Sequence, residues 1–97
     1  MQRFLVVIEK AAANYSAYSP DVLGCITTGA TIEETLVNMR EALEAHLECM
    51  ALSGDELPSP RGVDSYIDAV EMSEDEEYFI THLTVNEPQT EATALLS

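Results

Sequence analysis

Residues 31–54 read Thr-Ile-Glu-Glu-Thr-Leu-Val-Asn-Met-Arg-Glu-Ala-Leu-Glu-Ala-His-Leu-Glu-Cys-Met-Ala-Leu-Ser-Gly, and this stretch decides the fold. Thr31 followed by Glu34 is a capping box. In such a box the hydroxyl accepts from the amide three residues on, and the glutamate reaches back to the threonine's own amide. Ile32, Leu36, Met39, Leu43, Leu47 and Met50 then recur at spacings of 4, 3, 4, 4 and 3. At about 100° per residue they form one apolar stripe. Glu33, Glu34, Glu41, Glu44 and Glu48 all fall away from it. The pattern predicts a long amphipathic helix ending near Ser53. Gly54 supplies the left-handed residue that closes many helices, and Pro58 and Pro60 prevent continuation.

A helix with one apolar face needs something to cover, and the flanking segments supply strands. Residues 3–9, Arg-Phe-Leu-Val-Val-Ile-Glu, are apolar and β-branched, as expected of a strand buried on both faces. Lys10 to Asn14 is a turn lacking the Asn-Gly or Asp-Gly pair of a tight two-residue hairpin. Residues 14–18 alternate large and small, as a second strand would. Pro20 has no amide hydrogen to give a ladder and ends that strand. Asp21 to Gly24 reads as a bend, and Cys25 to Thr28 as a short third strand that Gly29 ends.

Beyond the long helix, Val63, Tyr66, Ile67 and Val70 sit at i, i+3, i+4 and i+7 and predict a short helix within residues 61–76. An acidic loop, Ser73 to Glu77, follows, then a last strand over 78–85 that Pro88 closes. The expected fold is α+β. A four-stranded, mostly antiparallel sheet, in the chain order β-β-β-α-(α)-β, is covered by one long helix. Residues 1–88 are expected to form a single domain and 89–97 a flexible tail.

Composition sets the functional frame. A chain of 97 residues suffices for one packed core without metal or disulfide staples. Its 46% hydrophobic content is that of a globular protein. Eighteen Asp and Glu face four Lys and Arg, for a net charge of −14. Residues 1–30 are neutral, so the whole excess lies in residues 31–97. Such a field repels nucleic-acid phosphates and steers a basic protein inward, at a rate that falls with salt. The bland alternative is an acidic surface that only keeps the chain in solution.

The apolar run Phe4 to Ile8 is too short for a signal-peptide core or a membrane span. Cys25 and Cys49 show no metal-site spacing and are read as reduced, which places the protein in the cytoplasm. His46 and His82 are the only imidazoles, and no local motif ties either to a cysteine or serine. Glu74, Asp75, Glu76 and Glu77 lack the alternating pattern of a calcium loop, and the four scattered glycines make no phosphate loop. No cofactor or metal is expected, and no enzymatic activity. The acidic surface remains as the candidate site.

Three segments carry a resemblance. Tyr15-Ser-Ala-Tyr-Ser-Pro-Asp-Val-Leu-Gly-Cys25 resembles the strand–bend signature of the HicB-like antitoxins. There a Pro-Asp pair precedes a Gly-Cys pair by two residues. Thr28-Gly-Ala-Thr-Ile-Glu-Glu34 looks like that family's approach to its main helix. Asn38-Met-Arg-Glu-Ala-Leu-Glu44 and Gly54-Asp-Glu-Leu-Pro-Ser-Pro60 look like its continuation and exit.

The resemblance implies a partial ribonuclease H-like fold without that enzyme's metal-binding carboxylates. It implies the neutralisation of HicA, a small basic toxin similar to double-stranded-RNA-binding domains that cleaves messenger RNA, by covering its catalytic histidine. It also implies a dimer or tetramer. Many members carry a C-terminal DNA-binding module. The chain after Val85 is too short for one, so direct nucleic-acid binding is not expected. Residues 61–75 look like an insertion. Under this reading Glu41, Glu44 and Glu48 on the helix, and Glu74, Asp75, Glu76 and Glu77 in the loop, are the candidate partner contacts. The alternative is an orphan member of the family, a regulatory or scaffold protein acting as a homo-oligomer. Pro20, Asp21, Gly24 and Gly29 are assigned to the fold, because bends favour those residue types.

Overall fold

The computed structural model describes residues 2–72 and 77–86. The expected contacts Glu74, Asp75 and Glu76 and the expected tail, 89–97, lie outside the described residues. The elements are β1 (Gln2–Lys10), β2 (Tyr15–Ser19), β3 (Val22–Gly29), α1 (Ile32–Leu52), α2 (Val63–Met72) and β4 (Tyr78–Val85). The four strands form one sheet in the order β3-β2-β1-β4, with every neighbour antiparallel.

β1 is central and buried on both faces because its apolar run leaves neither face polar. Phe4, Val6 and Ile8 enter the core beneath α1, and Leu5 and Val7 enter a smaller one beneath α2. The period-two alternation of strand side chains divides the run in this way. The larger core joins Ala17, Leu83 and Val85 of the sheet to Met39, Leu43 and Leu47 of α1. Each of these side chains larger than alanine contributes about 1.5–3 kcal/mol by leaving water.

Both ends of α1 follow the chemistry of its sequence. Thr31 is the N-cap, and its side chain accepts from the Glu34 amide at 3.1 Å. At the far end the Gly54 amide donates to Ala51 and the Asp55 amide to Met50, with Gly54 at φ +78°. This paired arrangement satisfies carbonyls that would otherwise be orphaned. The helix is tied to β3 where Asn38 Nδ2 donates to the Thr28 carbonyl at 2.9 Å. Gly29 and the fully buried Thr35 meet nearby, and a Cβ on Gly29 would strike Thr35.

Two features differ from the sequence reading. β3 begins at Val22, so part of the expected bend is strand. Gly24 sits within it at φ +84°, and the β2–β3 register shifts between Tyr18 and Ser19. A glycine tolerates this conformation inside a strand, where a bulge takes up extra residues. The second difference is that α2 also packs on the sheet, where one long covering helix was expected. The buried residues of α2 are Ser65 and Ala69, while Val63, Tyr66, Ile67 and Val70 are exposed. The helix lies on the sheet face opposite α1, against the Leu5 and Val7 side of β1. The sheet is therefore flanked by a helix on each side.

Candidate interaction surface

α1 turns its acids outward. Met39, Leu43 and Leu47 are buried, and Glu41 and Glu48 are exposed on the opposite face. Glu44 is half-buried and accepts from the Asn86 amide at 2.9 Å, just past the end of β4. Glu44 and Glu48 are like charges four residues apart, which costs a helix a few tenths of a kcal/mol. The last turn carries no basic residue to complement the helix dipole. A cationic surface brought against Glu44 and Glu48 would relieve that repulsion.

Glu77 lies elsewhere. It is exposed beside the first residue of β4, and its carbonyl accepts from the Lys10 amide at 2.9 Å. Glu44 marks the end of the sheet where β4 finishes, and Glu77 the end where it begins. The described candidate acids therefore do not form one patch.

Sequence reading missed a polar cluster that fixes α2. The Asp21 carboxylate is 1% exposed. It accepts from Arg61 Nε and from the buried Ser65 hydroxyl. Arg61 also donates to Asp68 at 2.7 Å and to the Pro20 carbonyl at 3.3 Å. Its hydrogen bonds to Asp21 and then Asp68 hold the guanidinium pKa above its ordinary value. The signal was the Pro-Asp pair at the β2–β3 connection, a buried acceptor awaiting a donor some 40 residues later in the chain.

This cluster borders a cleft of about 270 Å³ lined by Arg3, Leu5, Asp21, Gly62, Ser65 and His82, among others. Serine, histidine and aspartate thus share one cleft. The Ser65 hydroxyl donates to the Asp21 carboxylate, which Arg61 also engages. His46 is half-buried on α1, away from this cleft. Cys25 is buried and Cys49 exposed, both as free thiols, and burial pushes the Cys25 pKa up. Among the described residues no helix is long and apolar enough to cross a membrane. No group of three or more His, Cys, Asp or Glu among them is placed to hold a metal.

Comparison with known proteins gives a consistent picture. The family model described as "HicB_like antitoxin of bacterial toxin-antitoxin system" matches residues 4–92. An uncharacterised 14.9 kDa protein of Haemophilus phage HP1 is 36% identical over 66 residues, which cover 68% of this chain and 50% of that protein. The chain therefore spans about half the length of that relative. A UPF0150 protein of Helicobacter pylori is 37% identical over 67 residues, 69% of this chain and 90% of its own. Among solved structures, a chain of the "HicA3 and HicB3 toxin-antitoxin complex" superposes with a TM-score of 0.73 at 27% identity, covering 88% of this chain and 99% of its own. The Burkholderia pseudomallei antitoxin HicB, at 23% identity and a TM-score of 0.70, shares the fold over 89% of this chain and 63% of its own.

Proposed function

The chain belongs to the HicB-like antitoxin family of bacterial toxin–antitoxin systems, and with that as premise we propose that it binds and neutralises a small basic HicA-type toxin without itself being an enzyme. The observation that carries this reading is the superposition, over nearly the whole of both chains, on a chain of a solved toxin–antitoxin complex.

The electrostatics support it. A chain of charge −14 accelerates encounter with a cationic protein and slows encounter with nucleic acid. Glu41 and Glu48 face solvent on α1, and Glu77 adds acid at the far end of the sheet. Together with Glu44 and the 74–76 segment they are the proposed source of that attraction. Sequestration in the cytoplasm, where messenger RNA is translated, completes the proposal. The self-association expected from the resemblance is a separate property, read by sedimentation velocity of the pure chain.

The test is co-expression with a HicA-type toxin from the same genome. Growth should be restored, the two proteins should co-purify, and the affinity measured by calorimetry should fall as NaCl rises. Growth arrest that persists despite full expression of this chain, with no complex at low salt, would rule the reading out.

A further inference from the structure

We propose that the outward stripe of α2, formed by Val63, Tyr66, Ile67 and Val70, is the anchoring surface for the basic partner, which then sits on the side of the sheet opposite α1. This inference rests on the antitoxin reading and adds where the partner docks.

The stripe inverts the usual economy of a surface helix. Its four apolar side chains have the spacing of a core face, yet they are 73%, 53%, 46% and 37% exposed. The small residues Ser65 and Ala69 are the ones buried. What holds α2 down is the polar cluster at its start, where Asp21 engages Arg61 and Ser65, and Arg61 engages Asp68. The apolar residues are not needed for that attachment. They are presented on a helix already fixed in place, as in complexes where one helix face supplies i, i+3, i+4 and i+7 anchors to a groove. Tyrosine is among the residues that dominate binding energy at such centres.

Charge identifies the occupant. At about 100° per residue, Asp64 and Glu71 fall on the flank of the stripe beside Ile67. An apolar centre with an acidic rim fits a partner with an apolar centre and a basic rim. A second copy placed on this stripe would bring two acidic rims together. Asn86, the last described residue, is held through its amide by Glu44 of α1, on the other side of the sheet.

The experiment uses the full chain and a HicA-type toxin whose catalytic histidine is changed to alanine, measured by calorimetry and stopped flow. Three variants are compared: Tyr66→Ala with Ile67→Ser, Val63→Arg, and Glu41→Gln with Glu44→Gln and Glu48→Gln. The first two should weaken binding about thirtyfold or more, mainly through faster dissociation. The glutamine variant should lose only about threefold to fivefold, through slower association. Val63 is largely exposed, so its variant keeps the native melting temperature even if the double variant does not. Wild-type affinity in both α2 variants overturns the docking site and leaves the antitoxin reading standing. No binding by the wild-type chain removes both. A wild-type oligomer that the α2 variants dissociate, with toxin affinity unchanged, assigns the stripe to a second copy and overturns the proposal. So does at least tenfold tighter toxin binding after removal of residues 87–97, which assigns it to the tail.

Discussion

Gly29→Ala is the single change expected to disturb the fold most for the fewest atoms added. An ideal Cβ there would stand 2.5 Å from Thr35 Oγ1, 2.7 Å from the Thr35 amide nitrogen and 2.9 Å from its Cα. Two of these atoms are backbone in the first turn of α1, so no rotamer change relieves the contact. The helix start must move several tenths of an ångström from β3. That loosens Thr35, whose hydroxyl donates to the Thr31 carbonyl at 2.7 Å, and Met39, both fully buried. Overpacking of this kind costs about 2–3 kcal/mol. In a domain of this size that lowers the melting temperature by roughly 10–20 °C. The assay is thermal unfolding by circular dichroism, with Gly24→Ala alongside. Gly24 has a positive φ but no atom within 4 Å of its would-be Cβ, so its cost is conformational, about 1–2 kcal/mol. Thr35→Ala in the Gly29→Ala background should recover only the side-chain part of the loss, since the backbone contacts persist. A Gly29→Ala protein melting within 3 °C of wild type would show that β3 and α1 are not as close as described.

Further outcomes are expected elsewhere. Ser65→Ala removes a buried hydroxyl bonded to a carboxylate, which should cost about 1.5–3 kcal/mol and raise hydrogen exchange across α2 while leaving α1 protected. Equal protection loss in both helices would show that the cluster does not act on α2 alone. A thiol reagent at neutral pH should label Cys49 at once and Cys25 only on unfolding, because the first is exposed and the second buried. The raised Cys25 pKa means the folded state resists forming the thiolate. Its contribution is therefore fully present below the ordinary thiol pKa of about 8.5 and lost as pH rises through the higher folded value. Chemical denaturation from pH 7 to 10 should show a smaller decline for Cys25→Ala than for wild type, and identical declines would exclude this cause. For the toxin complex, the salt dependence should be shallower in the glutamine variant of α1, and an unchanged slope would remove those residues from the attraction.

The long helix was legible because its caps and its stripe are local statements. Thr31 and Gly54 do what their residue types dictate wherever they occur. The stripe was read without Thr35, since a polar side chain gives no hydrophobic signal, yet its hydroxyl is satisfied within the helix and the residue is buried at β3. The spacing of Val63, Tyr66, Ile67 and Val70 revealed a helix but not which side meets the sheet. That side was decided by two small residues and by a salt bridge to Asp21, distant in sequence. The start of β3 was hidden because Pro20 and Gly24 look like punctuation, although a bulge accommodates the glycine within the strand. The acids of the candidate site were visible as composition. Sequence could not show that Glu44 is committed to Asn86 or that Glu77 lies at the other end of the sheet.

The pairing of β1 with β4 has a consequence for how the protein is made. Gln2 lies opposite Val85, so the central strand is synthesised first and its second neighbour last. At roughly 5–20 residues per second, β1 spends several seconds with one side open. During that time Phe4 to Ile8 is an uninterrupted apolar strand guarded only by Arg3, Glu9 and Lys10 at its ends. β2, β3 and α1 can close over one face while synthesis continues, but the β4 side must wait. A ribosome stalled before Tyr78 would therefore leave a sticky strand rather than a partly working domain, and a chaperone or a protease is what should meet it.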